Sequence, residues 1–199
     1  MDKELSDADF VGCLERAGIL KSVVMTKNLE GFCDVKGLRH LVRRWSPSFH
    51  TFFFSVGELI VTLEDMMNTF LLLEFGNESP FNIQLSVEDL VVEEKLFKHF
   101  SGRTTSLGGR LARMVRWFKV LSKEEKSMRQ VGFIVLWLSK FLFGEFPRYG
   151  IKFAFFPLAI WIAQGISYPL AFMYLGHLYS QLDLVHADEL EDSTASICV

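Results

Sequence analysis

The sequence predicts a mainly α-helical fold: a single α-helical domain with one small β-hairpin near residues 52–61. Apolar residues recur at helical spacing in most segments, and three segments begin with the spacing of a capping box. The clearest β signal is confined to residues 52–61, where two β-prone runs flank a glycine. Half of the 199 residues are apolar and 20 are phenylalanine, which is enough to bury one sizeable core.

The N-terminal part of the chain is predicted to be helical. Residues 5–17 show helical spacing, and Gly18 stands where a glycine ends a helix. Residues 19–27 fit either a helix or an extended segment, with the helix favoured. Asp34 then suits the N-cap of a helix over residues 35–45.

The predicted hairpin leads directly into another helix. Within residues 52–61, Gly57 can adopt the positive φ that a tight turn requires. Thr62 follows, and its hydroxyl can cap a helix over residues 63–73 while Asp65 reaches back to the Thr62 backbone. The hairpin and this helix are therefore predicted to be joined without a linker.

The middle of the chain is predicted to be helical on both sides of a polar loop. Ser86 with Asp89, and Ser122 with Glu125, have the spacing of further capping boxes. Residues 101–109 are rich in Gly, Ser and Thr, and we expect them to be the most flexible internal stretch. The predicted helices cover residues 86–100, 110–121 and 122–144.

Residues 153–176 contain no charged side chain and are long enough to suggest a transmembrane helix. Pro157 and Pro169 suit the first turns of two helices, and Gly165 suits the end of the first. Because each helix would be too short to cross a bilayer, two buried core helices and no membrane contact are predicted.

Charge and cysteine content narrow the function class. The net charge of −3 comes from acidic residues near the C-terminus, so the rest of the chain is nearly neutral and unsuited to bulk electrostatic binding of nucleic acid. Three widely spaced cysteines do not suggest a disulfide framework, which fits a reducing compartment. Residues 185–199 are acidic and rich in small residues, and we predict a disordered tail there.

Arg44-Trp45, His50-Thr51, Gly57-Glu58 and Thr62 with Glu64-Asp65 are placed around the hairpin and the start of the next helix. At this spacing they resemble the signature of the plant mobile domain family, also called aminotransferase-like or maintenance-of-meristems-like. This resemblance extends over residues 14–184, after a lead-in of residues 1–13. Members of this family often have Gly-Leu-Pro after the helix that corresponds to residues 63–73, and their domain usually extends beyond the region matched here. The resemblance therefore implies a short or truncated member. The signature comprises Arg44, Trp45, His50, Thr51, Gly57, Glu58, Thr62, Glu64 and Asp65.

The resemblance implies a non-enzymatic nuclear interaction domain with protein partners, linked to transposon silencing, gene expression and meristem maintenance. Despite the aminotransferase-like label, the sequence shows no pyridoxal phosphate motif, no other catalytic motif and no zinc-binding pair, so neither a cofactor nor a metal is expected. Glu64 and Asp65 suit a helix N-terminus, which favours a structural role for the signature. The alternative is an enzyme, or an enzyme remnant from a mobile element, that acts on nucleic acid through Glu58, Asp65 or His50.

One basic helix face is the candidate nucleic-acid interface. Cationic side chains at helical spacing beside a Gly/Ser/Thr-rich loop could contact phosphates together, although a solvated helix face has the same pattern. This basic face comprises Arg103, Arg110, Arg113, Arg116 and Lys119.

Overall fold

The computed structural model describes residues 2–27, 34–80, 82–101, 114–144 and 150–197. Within these ranges the protein is mainly α-helical with a small antiparallel sheet, which confirms the predicted fold class. The helices are α1 (Asp2–Leu5), α2 (Ala8–Arg16), α3 (Leu20–Lys27), α4 (Val35–Val42), α5 (Leu63–Phe70), α6 (Val87–Ser101), α7 (Met114–Leu121), α8 (Lys126–Trp137), α9 (Phe156–Ala163) and α10 (Leu170–Ile197). The strands are β1 (Trp45–Ser46), β2 (Thr51–Phe54) and β3 (Gly57–Leu59). A π-helical turn (Leu138–Leu142) continues α8, and a 3₁₀ turn (Phe153–Phe155) precedes α9.

The first predicted helix is two helices, because Asp7 interrupts it. Its carboxylate accepts a hydrogen bond from the Phe10 N–H and caps α2, which ends before Gly18 at a φ of +71°. Residues 19–27, for which a helix is favoured over an extended segment, contain helix α3. Helix α4 ends at Val42, earlier than predicted, because Trp45 begins a strand.

The predicted hairpin is confirmed as β2 and β3, in which Phe53 pairs with Glu58. The sheet also contains β1, a third strand that the sequence did not predict, with Trp45 opposite Phe52. Helix α5 begins with the predicted capping box, since Asp65 accepts from the Thr62 N–H at 2.7 Å and the Thr62 hydroxyl accepts in return. The hairpin therefore leads into a helix as predicted.

Helix α5 ends three residues earlier than predicted. Leu71 has a left-handed backbone with a φ of +55°, which stops the helix after Phe70, and Leu72 is then buried. After this turn the Leu73 carbonyl accepts a hydrogen bond from the Ala171 N–H at 3.0 Å. The segment after α5 is thereby held against the start of α10.

The two remaining capping boxes have different outcomes. Ser86 and Asp89 cap α6 as predicted, with the Asp89 N–H 3.1 Å from the Ser86 hydroxyl. The box predicted at Ser122 and Glu125 is wrong, because the Ser122 hydroxyl donates to the Lys119 carbonyl at the end of α7. Helix α8 begins at the next residue after Glu125, whose side chain makes no capping hydrogen bond.

The uncharged stretch forms two helices, α9 and α10, as predicted. Pro157 lies in the first turn of α9, and Gly165 has a φ of +90° in the connection. Within the described ranges no helix has both the length and the apolar character needed to span a bilayer. Helix α9 is buried in the core, where Phe156 stacks on Trp117 of α7 with ring centroids 5.9 Å apart.

The C-terminal segment, for which a disordered tail is predicted, is described as part of a helix. Helix α10 continues through Ile197, and Glu189 within it is 7% exposed. The Glu189 carboxylate lies 3.1 Å from Arg39 and 3.3 Å from Arg43, both near the end of α4. Basic residues at the C-terminal end of α4 therefore pair with this acidic part of α10.

The structure leaves part of the predicted middle region outside its description. Residues 102–109 of the predicted flexible loop are not among the described residues, and the helix predicted from residue 110 is described only from Met114. The flexibility of that loop stays a prediction.

Candidate functional site

The signature residues lie where the small sheet packs on α10. Trp45 of β1 is 3% exposed. The centroid of its indole ring lies 4.8 Å from the ring centroid of Phe52 and 5.5 Å from the ring centroid of Tyr179. Its Nε1–H donates to the Asp183 carboxylate at 2.7 Å. Trp45 therefore contacts α10 through both its ring and its only donor.

His50 adopts a backbone conformation that is uncommon for residues other than glycine. Its φ is +50°, in the turn between β1 and β2, and its ring stacks on Tyr179 with centroids 4.9 Å apart. The His50 Nε2 lies 3.7 Å from the second oxygen of Asp183. Asp183 thus lies between Trp45 and His50, and one carboxylate joins two parts of the signature.

Tyr179 of α10 also contacts the chain next to the Thr62 capping box. The Tyr179 hydroxyl donates to the Val61 carbonyl, directly before α5. Burial, with a smaller contribution from the nearby Asp65 carboxylate, raises the pKa of Tyr179. Hydrogen bonds from the Thr62 hydroxyl and backbone N–H lower the pKa of Asp65, because they favour its ionised, accepting form.

Four other signature residues have separate positions around the sheet. The Arg44 guanidinium lies 5.3 Å from the centroid of the Phe54 ring. Thr51 is buried, and in the described part of the chain its hydroxyl has no hydrogen-bond partner. Gly57 has a φ of +141°, as the predicted turn requires, and Glu58 follows it with an exposed side chain.

Glu64 is also exposed, in the first turn of α5. Its negative charge there is favoured by the helix dipole, which agrees with the expected role. Of the three residues in the enzymatic alternative, Asp65 is engaged by Thr62, Glu58 lies on the edge strand, and His50 faces α10. The contacts described for these residues do not bring the three side chains together.

The residues of α10 that contact the signature were not predicted from the sequence. Tyr179, Asp183, His186 and Glu189 are separated by four, three and three residues, the spacing of one helix face. His186 Nδ1 contacts the Val42 carbonyl at 2.9 Å, so α4 and the sheet dock on that face together. The spacing could have been recognised if the segment had been read as a helix instead of an acidic tail.

The basic face is only partly described. Arg103, Arg110 and Arg113 lie outside the described residues, and Arg116 belongs to α7 without a described side chain. Lys119 is exposed on α7. The nucleic-acid interface therefore stays a prediction. Across the described ranges, no three His, Cys, Asp or Glu side chains are grouped so that they could hold a metal ion.

Substitutions at His50 separate the contribution of its ring from that of its backbone. We expect His50→Ala to be less stable than His50→Gly by about 1 kcal/mol, because both lose the stacking on Tyr179 but only alanine is strained at positive φ. Urea unfolding of both variants and the wild type measures the difference. Equal stabilities for alanine and glycine would show that the left-handed conformation contributes no strain.

Comparison with known proteins agrees with the signature. A family model described as plant mobile domain matches residues 20–198 of the 199-residue chain. The match includes α10, which supplies Tyr179 and Asp183. The chain has no significant match among curated protein sequences or solved structures.

Proposed function

Since this chain belongs to the plant mobile domain family, we propose that it is a non-enzymatic interaction domain that acts in the nucleus with protein partners. Its proposed roles are transposon silencing, gene expression and meristem maintenance, as the family resemblance implies. The proposal concerns a helical scaffold that presents surfaces to partners instead of carrying out a reaction.

The signature side chains contact other parts of the domain itself, and this supports the proposal. The Thr62 capping box joins the sheet to α5. The contacts to α10 are made by Trp45 with Asp183, by His50 with Tyr179, and by the Tyr179 hydroxyl with the chain directly before Thr62. These contacts connect the sheet and α5 to α10, which lies more than 100 residues later in the chain. A signature whose side chains are used to maintain the scaffold is consistent with a non-enzymatic domain.

The proposal is tested by restoring function with a variant that preserves the turn at His50 but removes its imidazole. In plants that lack this protein, the wild type and His50→Asn are expressed as fluorescent fusions, and transposon transcripts are counted by RNA sequencing. Asparagine tolerates positive φ, so the fold should persist. We expect both proteins to enter the nucleus and both to restore silencing.

The alternative function is an enzyme, or enzyme remnant, acting on nucleic acid, and one observation favours it. His50 and Asp183 form a histidine–carboxylate pair at 3.7 Å in which both side chains are partly exposed. Such a pair could orient a general base. If a folded, nuclear His50→Asn protein fails to silence transposons, the enzymatic alternative is favoured and the interaction proposal fails.

Nucleic-acid binding by the basic face has a separate test. Wild type and Arg113→Glu/Arg116→Glu are titrated with mixed DNA and RNA across a salt series, and Lys36→Glu/Lys95→Glu serves as a control with the same change in charge. A nucleic-acid interface predicts binding that weakens steeply with salt and is lost only in the arginine variant. If no binding occurs at low salt, the basic face is only a solvated helix surface, and the partners to be tested next are proteins.

A further inference from the structure

A cavity of about 320 Å³ opens between α7 and α8. Val115 of α7, Phe133 and Trp137 of α8, and Phe141 of the π-helical turn contribute apolar walls. Phe133 and Trp137 are buried, whereas Val115 is 70% exposed. The cavity therefore extends from the hydrophobic core to the surface, and we refer to it as the apolar cavity.

Two lysines, Lys119 and Lys140, line the apolar cavity, and both are exposed. Among the described residues that line it there is no aspartate or glutamate, and neither lysine belongs to an ion pair described for this chain. The Lys140 ammonium lies 4.7 Å from the centroid of the Phe141 ring. Within the described part of the chain, an apolar interior is thus combined with two positive charges that have no paired carboxylate.

The π-helical turn places Lys140 at the boundary of a second cavity. Turns of this kind are rare and occur often at functional sites, because the extra residue displaces side chains from their α-helical positions. Lys140 and Phe141 also line a neighbouring cavity of about 320 Å³, whose wall includes His177 and Gln181 of α10. Lys140 therefore lies between an apolar cavity and a more polar one.

We propose that the apolar cavity binds a small anionic amphiphile, an activity beyond the proposed scaffold role. Its volume suits an apolar body of roughly ten to fifteen non-hydrogen atoms, since a liquid water molecule occupies about 30 Å³. Burial against Phe133, Trp137 and Phe141 removes the apolar body from water. A carboxylate, phosphate or sulfonate group then accepts charge-assisted hydrogen bonds from Lys119 and Lys140.

Calorimetric titration of the full chain with three probes of equal apolar length tests the proposal. Decanoate, decanol and decylammonium differ mainly in charge, and all are used below the concentration at which they form micelles. We expect saturable binding of one decanoate, with affinity roughly tenfold or more above that of decylammonium and with decanol between them. Equal affinities for the three probes would overturn the assignment of an anionic ligand.

Two pairs of variants locate the binding. Lys119→Glu/Lys140→Glu should reverse the preference from decanoate to decylammonium, whereas Lys36→Glu/Lys95→Glu, with the same charge change elsewhere, should not. Val115→Trp places an indole into the cavity and should abolish binding.

Its matched control is Val87→Trp on α6, at a residue that is 80% exposed and does not line the cavity. The four variants alter exposed residues, and circular dichroism with thermal melting checks their folding. Unchanged decanoate binding by a folded Val115→Trp protein would overturn the proposed site.

Discussion

Replacing Trp45 by alanine is expected to lower the free energy of unfolding by about 3–5 kcal/mol. The side chain is 3% exposed and lies between the sheet and α10, against Phe52 and Tyr179. Truncation leaves a cavity at this contact and also removes the hydrogen bond to Asp183. The measurement is urea unfolding followed by far-ultraviolet circular dichroism.

Two comparisons identify which part of Trp45 matters. Trp45→Phe retains most of the ring contact but loses the Nε1–H, and we expect a smaller loss of about 1.5–3 kcal/mol, the usual range for a hydrogen bond to a charged group. Phe49→Ala removes an aromatic side chain that is 69% exposed in the adjacent turn, and should change stability by less than about 0.5 kcal/mol. A Trp45→Ala protein as stable as the Phe49→Ala protein would contradict the anchoring role.

The signature could be found in the sequence, but its partners on α10 could not be assigned to it. Trp45 and Asp183 are 138 residues apart, and no local pattern indicates that they meet. Strand β1 contains only two residues, too few to show the alternation by which strands are recognised. The hairpin and most helices were predictable because turn chemistry and apolar spacing are properties of neighbouring residues.

The capping boxes show where such local reasoning stops. At Thr62 and Ser86 the acid three residues later contacts the cap, so local spacing gives the observed structure. At the start of α8 distant groups intervene, since Lys126 pairs with Asp7 near the N-terminus. This ion pair raises the pKa of Lys126 and lowers that of Asp7. The start of α8 therefore combines the local hydrogen bond of Ser122 with a tertiary contact, and the capping-box spacing predicts neither.

The same distinction applies to the acidic C-terminal segment. Composition alone predicts disorder there, because charge and small residues disfavour a packed core. Glu189 instead pairs with Arg39 and Arg43, which lie about 150 positions earlier in the chain. Buried charge that is paired in this way is compatible with an ordered helix. The sequence contains both partners but gives no indication that they are neighbours.

Replacing Gly76 by alanine is expected to destabilise the protein by about 2–4 kcal/mol. A Cβ atom at this position would lie 2.4 Å from the Tyr168 Cα and 2.7 Å from the Ser167 carbonyl oxygen. Both are backbone atoms in the connection between α9 and α10, so relief requires the segments to separate. That movement weakens the hydrogen bonds from the Asn77 N–H to the Ser167 carbonyl and hydroxyl.

Gly176→Ala provides the matched control for this substitution. Gly176 lies inside α10, where an added Cβ would meet no atom within 4 Å, so alanine should stabilise the helix by up to about 1 kcal/mol. Thermal unfolding of both variants should therefore give shifts of opposite sign, a decrease for Gly76→Ala and an increase for Gly176→Ala. If Gly76→Ala melts at the wild-type temperature, the close approach of the two backbones is absent in solution.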